Sequence, residues 1–413
     1  MIAQFVQEHL NDDTARLILD RAKWPQIDIN LAVNCIESRR KLKGKVQQWY
    51  DNPDLIFPLK LSAEQCSSSA TGAYKAAFAG FIYEHEKTGH QDNQLKIADL
   101  TGGYGVDSWS FSKVAQEVLY CEMLEILCNA AKHNFPALNA NNIKIENIAI
   151  SPNDFPNDIL SQFNPDIIYL DPARRSETGR KVFLIEDCTP DVLTLKDLLF
   201  AHSRHILLKL SPMADINMVC ERLGERCREV RVVSMGGECK ELLIWMDREW
   251  SREYSITAVE LSGNSEDSES FNFYPSEERT CLAQIASKED IAEAKYIYEP
   301  GKSLMKAGAF NTICQRFGLR KLGRSTHYYI IGNDSSIPSL GKTYKIINCS
   351  PLDKRSIKAA GQAYPKSEVT ARNIPMDTET LRKKLGITSG DDAHIFGLKS
   401  DIAGNLLFVT SRI

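Results

Sequence analysis

Between residues 95 and 247, short apolar runs alternate with stretches whose apolar positions recur every three to four residues. The runs are Leu95–Leu100, Val118–Cys121, Ile143–Ile148, Ile167–Leu170 and Ile206–Leu210. Helices are predicted between and after them, near 106–115, 124–138, 156–163, 190–201 and 215–225, with Thr189 as a cap and Pro190 in the first turn of the fourth. Such alternation predicts a parallel, doubly wound sheet. Two further strands, Glu229–Ser234 and Glu241–Met246, are separated by only six residues, too few for a crossover helix. This last pair is therefore expected to be antiparallel.

The flanks follow other patterns. Residues 1–90 carry Phe5, Leu10, Leu17 and Ile18, then Ile29, Val33 and Ile36, at helical spacing, broken at Asp51-Asn52-Pro53. A second amphipathic stretch covers Ala70 to Glu86. The polar, acidic segment 262–279 reads as a linker or surface loop. Residues 281–320 suggest a helix–strand–helix unit. Residues 325–413 are richer in strand signals, with Thr343–Ile347 and Leu406–Thr410 as strands and a helix at 377–385 capped by Asp377. The predicted organisation is a helical region at 1–90, an α/β core at 91–250, a linker with a small unit at 251–322, and a basic domain at 323–413.

Composition removes several classes. At 43% apolar and 25% charged residues, the 413-residue chain is ordinary for a globular protein. No apolar run approaches the roughly 18 residues that span a bilayer, and the start MIAQFVQEHLNDD lacks the basic and apolar regions of a signal peptide. The expectation is a cytoplasmic protein with no membrane partner. Eleven cysteines without a CxxC pair read as reduced thiols, and with eight histidines that lack ligand spacing they predict no metal site. The net charge of −4 conceals a division: residues 301–413 hold 18 Lys and Arg against 8 Asp and Glu, a balance of +10, which leaves −14 to residues 1–300. Such a split suggests a polyanion partner for the C-terminal part, or a basic face that is merely solvated.

Candidate chemistry gathers at the ends of the core strands. Asp99-Leu100-Thr101-Gly102-Gly103-Tyr104-Gly105-Val106-Asp107 joins the first strand to its helix, and its glycines permit a tight turn close to a ligand at a helix N-terminus. Gly103 and Gly105 match the first two glycines of a dinucleotide fingerprint, but Ser108 takes the third place. Glu122, ending the second strand, can accept ribose hydroxyls; Asp154, after the third, stands where an adenine amine could be held. Each alone reads more readily as a cap or loop acid. Asp171-Pro172-Ala173-Arg174-Arg175 follows the fourth strand, at the mouth of the sheet, where Asp171 and free carbonyls can face a substrate amine. Gly301-Lys302-Ser303 and Gly341-Lys342-Thr343 imitate phosphate loops, but Tyr296 and Ser336 stand where those loops need a first glycine.

DLTGGYGVD, the acid at 122 and LDPAR together resemble the class I S-adenosylmethionine-dependent methyltransferases over residues 95–247. The segments 298–322, 371–387 and 64–76 resemble a narrower bacterial methyltransferase group with a ferredoxin-like unit and a THUMP-like C-terminal domain. The resemblance implies a Rossmann-like seven-stranded sheet with its last strand antiparallel, a helical N-terminal region and small α+β C-terminal domains. It implies S-adenosyl-L-methionine as cofactor, held by Asp99, Thr101, Gly103, Gly105, Asp107, Glu122 and Asp154. Asp171 and Pro172 would orient an exocyclic base nitrogen of rRNA or tRNA, with Arg174, Arg175 and Lys209, and also Arg180 and Lys181, toward the substrate. Ala173 departs from the D-P-P pattern and leaves the acceptor atom open. Carbon methylation of pyrimidines needs a cysteine nucleophile; the fifth strand ends Leu210-Ser211-Pro212 without one, and Cys188 is distant along the chain. The alternatives are an RNA-binding protein with an inactive core, a methyltransferase for a protein or small molecule, and a nicotinamide oxidoreductase. The segment 64–71, with Lys75 behind it, either folds over the cofactor site or simply starts a helix.

Overall fold

The computed structural model describes residues 1–86, 94–174, 184–262, 268–332 and 335–413. It divides into two compact units. The first comprises Met1–Val233 and Lys240–Tyr254 with a short stretch starting at Leu261; the second comprises Ser234–Cys239, Ser255–Glu260 and Ser268–Ile413.

Seven strands of a nine-stranded sheet are β1 (Lys96–Asp99), β2 (Glu117–Glu122), β3 (Ile143–Asn147), β4 (Ile167–Leu170), β5 (His205–Leu210), β6 (Cys227–Met235) and β7 (Glu238–Asp247). Ser255–Leu261 and Ser268–Phe273 extend it beyond β6, so the segment read as a linker or loop holds a strand, with Phe271 and Phe273 buried, and the helix Pro275–Thr280. Their spatial order is β3-β2-β1-β4-β5-β7-β6. The first five are parallel, and β7 runs antiparallel to β5. β4 is buried along its whole length, as a strand covered on both faces must be.

Element boundaries differ from expectation where side chains decide them. The β6–β7 connection is two residues, not six, because Gly236 and Gly237 take φ of +63° and +78° and let both strands run longer. Thr189 is not the cap of the fourth helix; it pairs with Ala173 in a short ladder. The helix is Val192–His202, and the Asp191 carboxylate caps it by accepting the N–H groups of Leu193 at 3.0 Å and Thr194 at 3.3 Å. The helix at 215–225 is Ile216–Leu223, capped by Asp215 and ended by Gly224.

The N-terminal helices belong to the same unit. Helix Ile29–Leu42 buries Arg39, whose guanidinium donates to the carbonyls of Tyr50, Asn52, Pro53 and Leu55. That side chain satisfies the backbone where Asp51-Asn52-Pro53 breaks the helical pattern. Trp49 packs edge-on against Trp109 at 5.8 Å and stacks with Phe57 at 6.1 Å. Asn134 holds Ile56 through both backbone groups, at 2.9 and 2.8 Å. Residues 42–63 thus share one apolar cluster with the first and second helices of the sheet region.

The second unit is built on a seven-stranded sheet in the order Arg320–Lys321, Tyr329–Ile331, Tyr296–Pro300, Gly341–Pro351, Gly404–Arg412, Thr388–Ser400, Lys366–Arg372. Only the last pair is parallel. Helix Thr378–Leu385 starts where expected, with Asp377 accepting the Thr380 N–H at 2.7 Å. Among the described residues, no helix is long and apolar enough to cross a membrane, and no group of three His, Cys, Asp or Glu side chains could hold a metal.

Candidate active site

The turn after β1 owes its shape to its glycines. Gly103 and Gly105 have φ of +53° and +84°, a region costly to residues with a Cβ. A Cβ on Gly102 would stand 2.2 Å from the Tyr120 ring, and one on Gly105 2.5 Å from Phe135. Gly103 differs: a Cβ there would meet nothing nearer than 3.9 Å, so this glycine borders open space. The turn is pinned from below. Gly105 N–H donates to Gly102 O at 2.8 Å, Gly102 N–H to Cys121 O at 2.9 Å, and the Tyr120 hydroxyl to Gly103 O at 2.6 Å. Its aromatic residue, Tyr104, is buried; its hydroxyl bonds Ser38 at 3.1 Å and both backbone groups of Leu59. The N-terminal helices therefore grip the turn directly.

Two acids, Asp99 and Glu122, hold it, and Asp154 lies in the loop after β3. Asp99, at the end of β1, is buried and accepts Thr101 N–H at 3.0 Å and the Ser108 hydroxyl at 2.6 Å. Burial pushes its carboxyl up to about 7, only partly offset by the Ser108 hydrogen bond. Glu122, at the end of β2, accepts Gly103 N–H on one oxygen and Leu124 N–H on the other, each at 2.8 Å. The carboxylate thus ties two strand ends together. Asp154 is exposed and, among the described residues, bonds Ser151, side chain to side chain at 3.2 Å and through its own N–H at 3.1 Å.

The loop after β4 joins the turn through Thr101, whose hydroxyl accepts Asp171 N–H at 2.6 Å. Asp171 is ion-paired with Lys209 of β5, and Pro172 is buried beside it. Behind this pair lies a buried charge cluster. Asp107 accepts the Ser67 hydroxyl at 2.9 Å and the Tyr169 hydroxyl at 2.8 Å, with Lys75 3.3 Å away. Lys75 is fully buried; its ammonium donates to both Glu241 oxygens at 2.9 Å and to Ser67 at 3.0 Å. Burial alone would raise the Asp107 carboxyl, but Lys75 and Lys209 bring it below its ordinary value. Glu241 is raised by burial despite the same two lysines. Burial works against the Lys209 ammonium, yet Asp171, Glu241 and Asp107 together hold it above its usual range. Two lysines thus stand among four carboxylates, counting Asp99.

Asp99, Thr101, Gly103, Gly105 and Glu122 are gathered at one end of the sheet with Asp171, Pro172 and Lys209. Asp107 is also there, but its carboxylate faces the internal cluster. Arg175, Arg180 and Lys181 lie outside the described residues, as does the side chain of Arg174. Lys209, expected to face a substrate, is committed to Asp171. Ser67 and Lys75 come from the segment read as either a lid or a helix start: the helix Ser69–Glu86 does begin there, and both side chains hold the cluster. The sequence pattern does not single out Glu241. Its one signal is an acid opening the apolar run Leu242-Leu243-Ile244-Trp245. Cys188 is distant only along the chain, since it pairs across from Arg174; it is fully buried. The Ser303 of the false phosphate loop bonds Glu260 through its N–H and hydroxyl, at 3.0 and 2.8 Å.

Known proteins share the fold and the C-terminal domains of this chain. Residues 296–337 match the model of a ferredoxin-like domain, and residues 341–412 that of a THUMP domain-like family. No curated protein matches. A crystal structure from Porphyromonas gingivalis W83, described as a putative methyltransferase, is 28% identical, with a TM-score of 0.84 over 100% of this chain and 97% of that one. Its likeness runs through both units, and the sheet order above is the one expected for the class.

The core has a class I methyltransferase fold.

Partial matches include an rRNA methylase from Streptococcus thermophilus (10% identity, 43% and 93% of the two chains, TM-score 0.29) and a SAM-dependent methyltransferase from Agrobacterium tumefaciens (16%, 43% and 61%, TM-score 0.29); both are too partial to bear on function. In this methyltransferase fold the glycine turn, Glu122 and the Asp171 loop occupy the carboxyl ends of β1, β2 and β4, where open α/β sheets bind ligands.

Proposed function

We propose that the chain is an S-adenosyl-L-methionine-dependent methyltransferase acting on an exocyclic base nitrogen of RNA, either rRNA or tRNA. The observation that carries this reading is the joining of the glycine turn to the Asp171 loop through Thr101, which brings a cofactor cradle within one hydrogen bond of a substrate-facing acid.

The residues present fit the cofactor. Open space borders Gly103 alone among the glycines of the turn, so a ligand can lie against its backbone. Glu122 spends one acceptor site per oxygen on backbone N–H groups, and each oxygen keeps capacity for a ribose hydroxyl. When bound, the cofactor supplies a methyl group on a sulfonium, electrophilic enough that positioning provides most of the rate. Asp171 and the Pro172 carbonyl would accept the amine N–H groups and turn its lone pair toward that methyl. Lys209 holds the Asp171 carboxylate in place. Once the nitrogen had bonded the methyl carbon and the carbon–sulfur bond had broken to leave a neutral thioether, Asp171, already accepting an amine N–H, would take the surplus proton and pass it to water. Asp154, exposed in the loop after β3, would take the adenine amine. Arg174 and Arg175 would meet phosphates of the RNA. Cys188 has no open approach, so a nitrogen acceptor is preferred to a pyrimidine carbon.

A second reading, an RNA-binding protein with an inactive core, draws on the same Lys209–Asp171 pair, which occupies one oxygen of the substrate-facing acid. Calorimetry with S-adenosylmethionine, followed by transfer of its methyl to RNA from a deletion strain, separates the two. Cofactor binding with transfer supports the first reading. RNA binding without any cofactor heat supports the second.

A further inference from the structure

The second unit contains a cavity of about 520 Å³, lined by Ala283, Ile285, Phe310, Asn311, Lys321, Arg324 and His327. Its volume is in the range of small-ligand sites. The walls are fixed by backbone pairing. Lys321 donates its N–H to Gln284 O at 2.9 Å and accepts Ala286 N–H at 2.8 Å, while the Tyr329 hydroxyl bonds Phe310 O at 3.3 Å.

The side chains facing it are cationic and incompletely satisfied. Lys321 is 5% exposed, yet its ammonium has a single hydrogen-bond partner among the described residues, Asn311 Oδ1 at 3.1 Å. An ammonium has three protons to place, and a buried one without an ion pair is costly. The Arg324 backbone N–H donates to Asp401 at 2.8 Å, while its guanidinium is exposed and has no partner among the described residues. His327 stacks on Phe310 with ring centroids 3.7 Å apart and planes 17° from parallel, and its buried Nδ1 has no partner among the described residues. Burial, then Lys321, lower the His327 pKa, so the ring is neutral and can donate from one nitrogen. No acid is among the seven lining residues. Two carboxylates act on Lys321 from outside this lining: Glu278 is consumed by the N–H groups of Phe310, Asn311 and Thr312, and Asp401 accepts the Arg324 N–H.

We infer that this cavity binds a phosphorylated nucleotide, its phosphate between Lys321 and Arg324 and its base against the Phe310–His327 face. A bare anion would leave most of the volume and the apolar walls at Ala283 and Ile285 unused. An uncharged base would leave both cations unpaired. The nucleotide is either free or an unpaired residue of an RNA strand; the phosphate and the ring are common to both. The inference does not depend on methyl transfer by the core.

The test is calorimetry on the full chain with uridine 5′-monophosphate, which lacks adenine and so keeps the core's proposed cofactor site out of the readout. Uridine is the control, and a 5′-phosphorylated tetranucleotide the second probe. Wild type should bind the monophosphate saturably and uridine at least tenfold more weakly. Lys321→Gln should weaken the monophosphate about tenfold or more, and Arg324→Gln about threefold or more. Arg324 is exposed, so that variant should fold with an unchanged melting temperature. If the variants also lose the tetranucleotide, the ligand is an RNA strand; if they lose the monophosphate alone, it is a free nucleotide. No saturable binding by wild type, uridine binding as tight as the monophosphate, or both variants binding like wild type would overturn the inference.

Discussion

At the scale of single residues, the site rests on a few groups whose geometry predicts measurable effects. Gly105 combines φ of +84° with a Cβ position 2.5 Å from Phe135. Gly105→Ala should destabilise the first unit by about 2 kcal/mol or more, since the left-handed backbone alone costs roughly 1–2 kcal/mol; the urea midpoint measures it. Glu122→Ala removes the acceptor for two backbone N–H groups and the proposed ribose contact. Cofactor affinity should fall at least tenfold in calorimetry, in line with the roughly 1.5–3 kcal/mol of hydrogen bonds to charged groups. Asp99 offers a pH signature. Its folded value of about 7 lies above its ordinary 3.8, so the folded chain holds the extra proton. Its contribution to stability is complete below about pH 4 and is lost as pH rises to about 7. Asp99→Asn removes the titration, so wild-type stability relative to this variant should decline between those limits and then level off. A constant difference across that window would contradict a raised Asp99.

At the scale of elements, the buried Lys75–Glu241 pair joins the helix Ser69–Glu86 to β7. Lys75→Met leaves Glu241 and Asp107 buried without its ammonium and should cost about 3–5 kcal/mol, whereas replacing Lys75 and Glu241 together with apolar residues should recover part of that loss, Asp107 keeping Ser67 and Tyr169. Denaturant unfolding of the single and double variants checks it. The strands are legible in the sequence because each is a short apolar run, and Ile167–Leu170 coincides with its prediction residue for residue. Caps are less so. Thr189, Pro190 and Asp191 all suit a helix start, and only the ladder between Cys188–Thr189 and Ala173–Arg174 removes Thr189 from contention. The turn acids are legible from position along the chain. Their partners are not, because Lys75, Ser67 and Glu241 are up to 166 positions from the groups they touch. The same blindness to chain-distant neighbours makes Cys188 look remote from the Asp171 loop. With nitrogen as acceptor, Cys188→Ser should leave the transfer rate within a few fold of wild type; loss of transfer with an intact fold would point to carbon instead.

At the scale of the whole molecule, the basic part found in the sequence lies within the second unit, which also takes in the acidic stretch 268–300. The +10 of residues 301–413 spans the matched ferredoxin-like and THUMP-like segments. Lys354, Arg355 and Lys358 are exposed on the helix Lys354–Ala363. If they meet RNA phosphates, replacing all three with Gln in the full chain should make the log–log salt dependence of RNA binding shallower by up to about two units, at roughly 0.7 for each single-strand phosphate no longer neutralised. An unchanged slope would remove this helix from the interface. The acidic remainder carries the methyltransferase fold and, in the proposed function, the cofactor and the chemistry. One measurement tests that function most directly. RNA from a deletion strain is incubated with the purified chain and S-adenosylmethionine, digested, and its nucleosides weighed by mass spectrometry. A nitrogen methyltransferase yields one nucleoside heavier by a single methyl on nitrogen, made by wild type and not by Asp171→Ala. Cofactor binding without any methylated nucleoside, or transfer undiminished in Asp171→Ala, would contradict it.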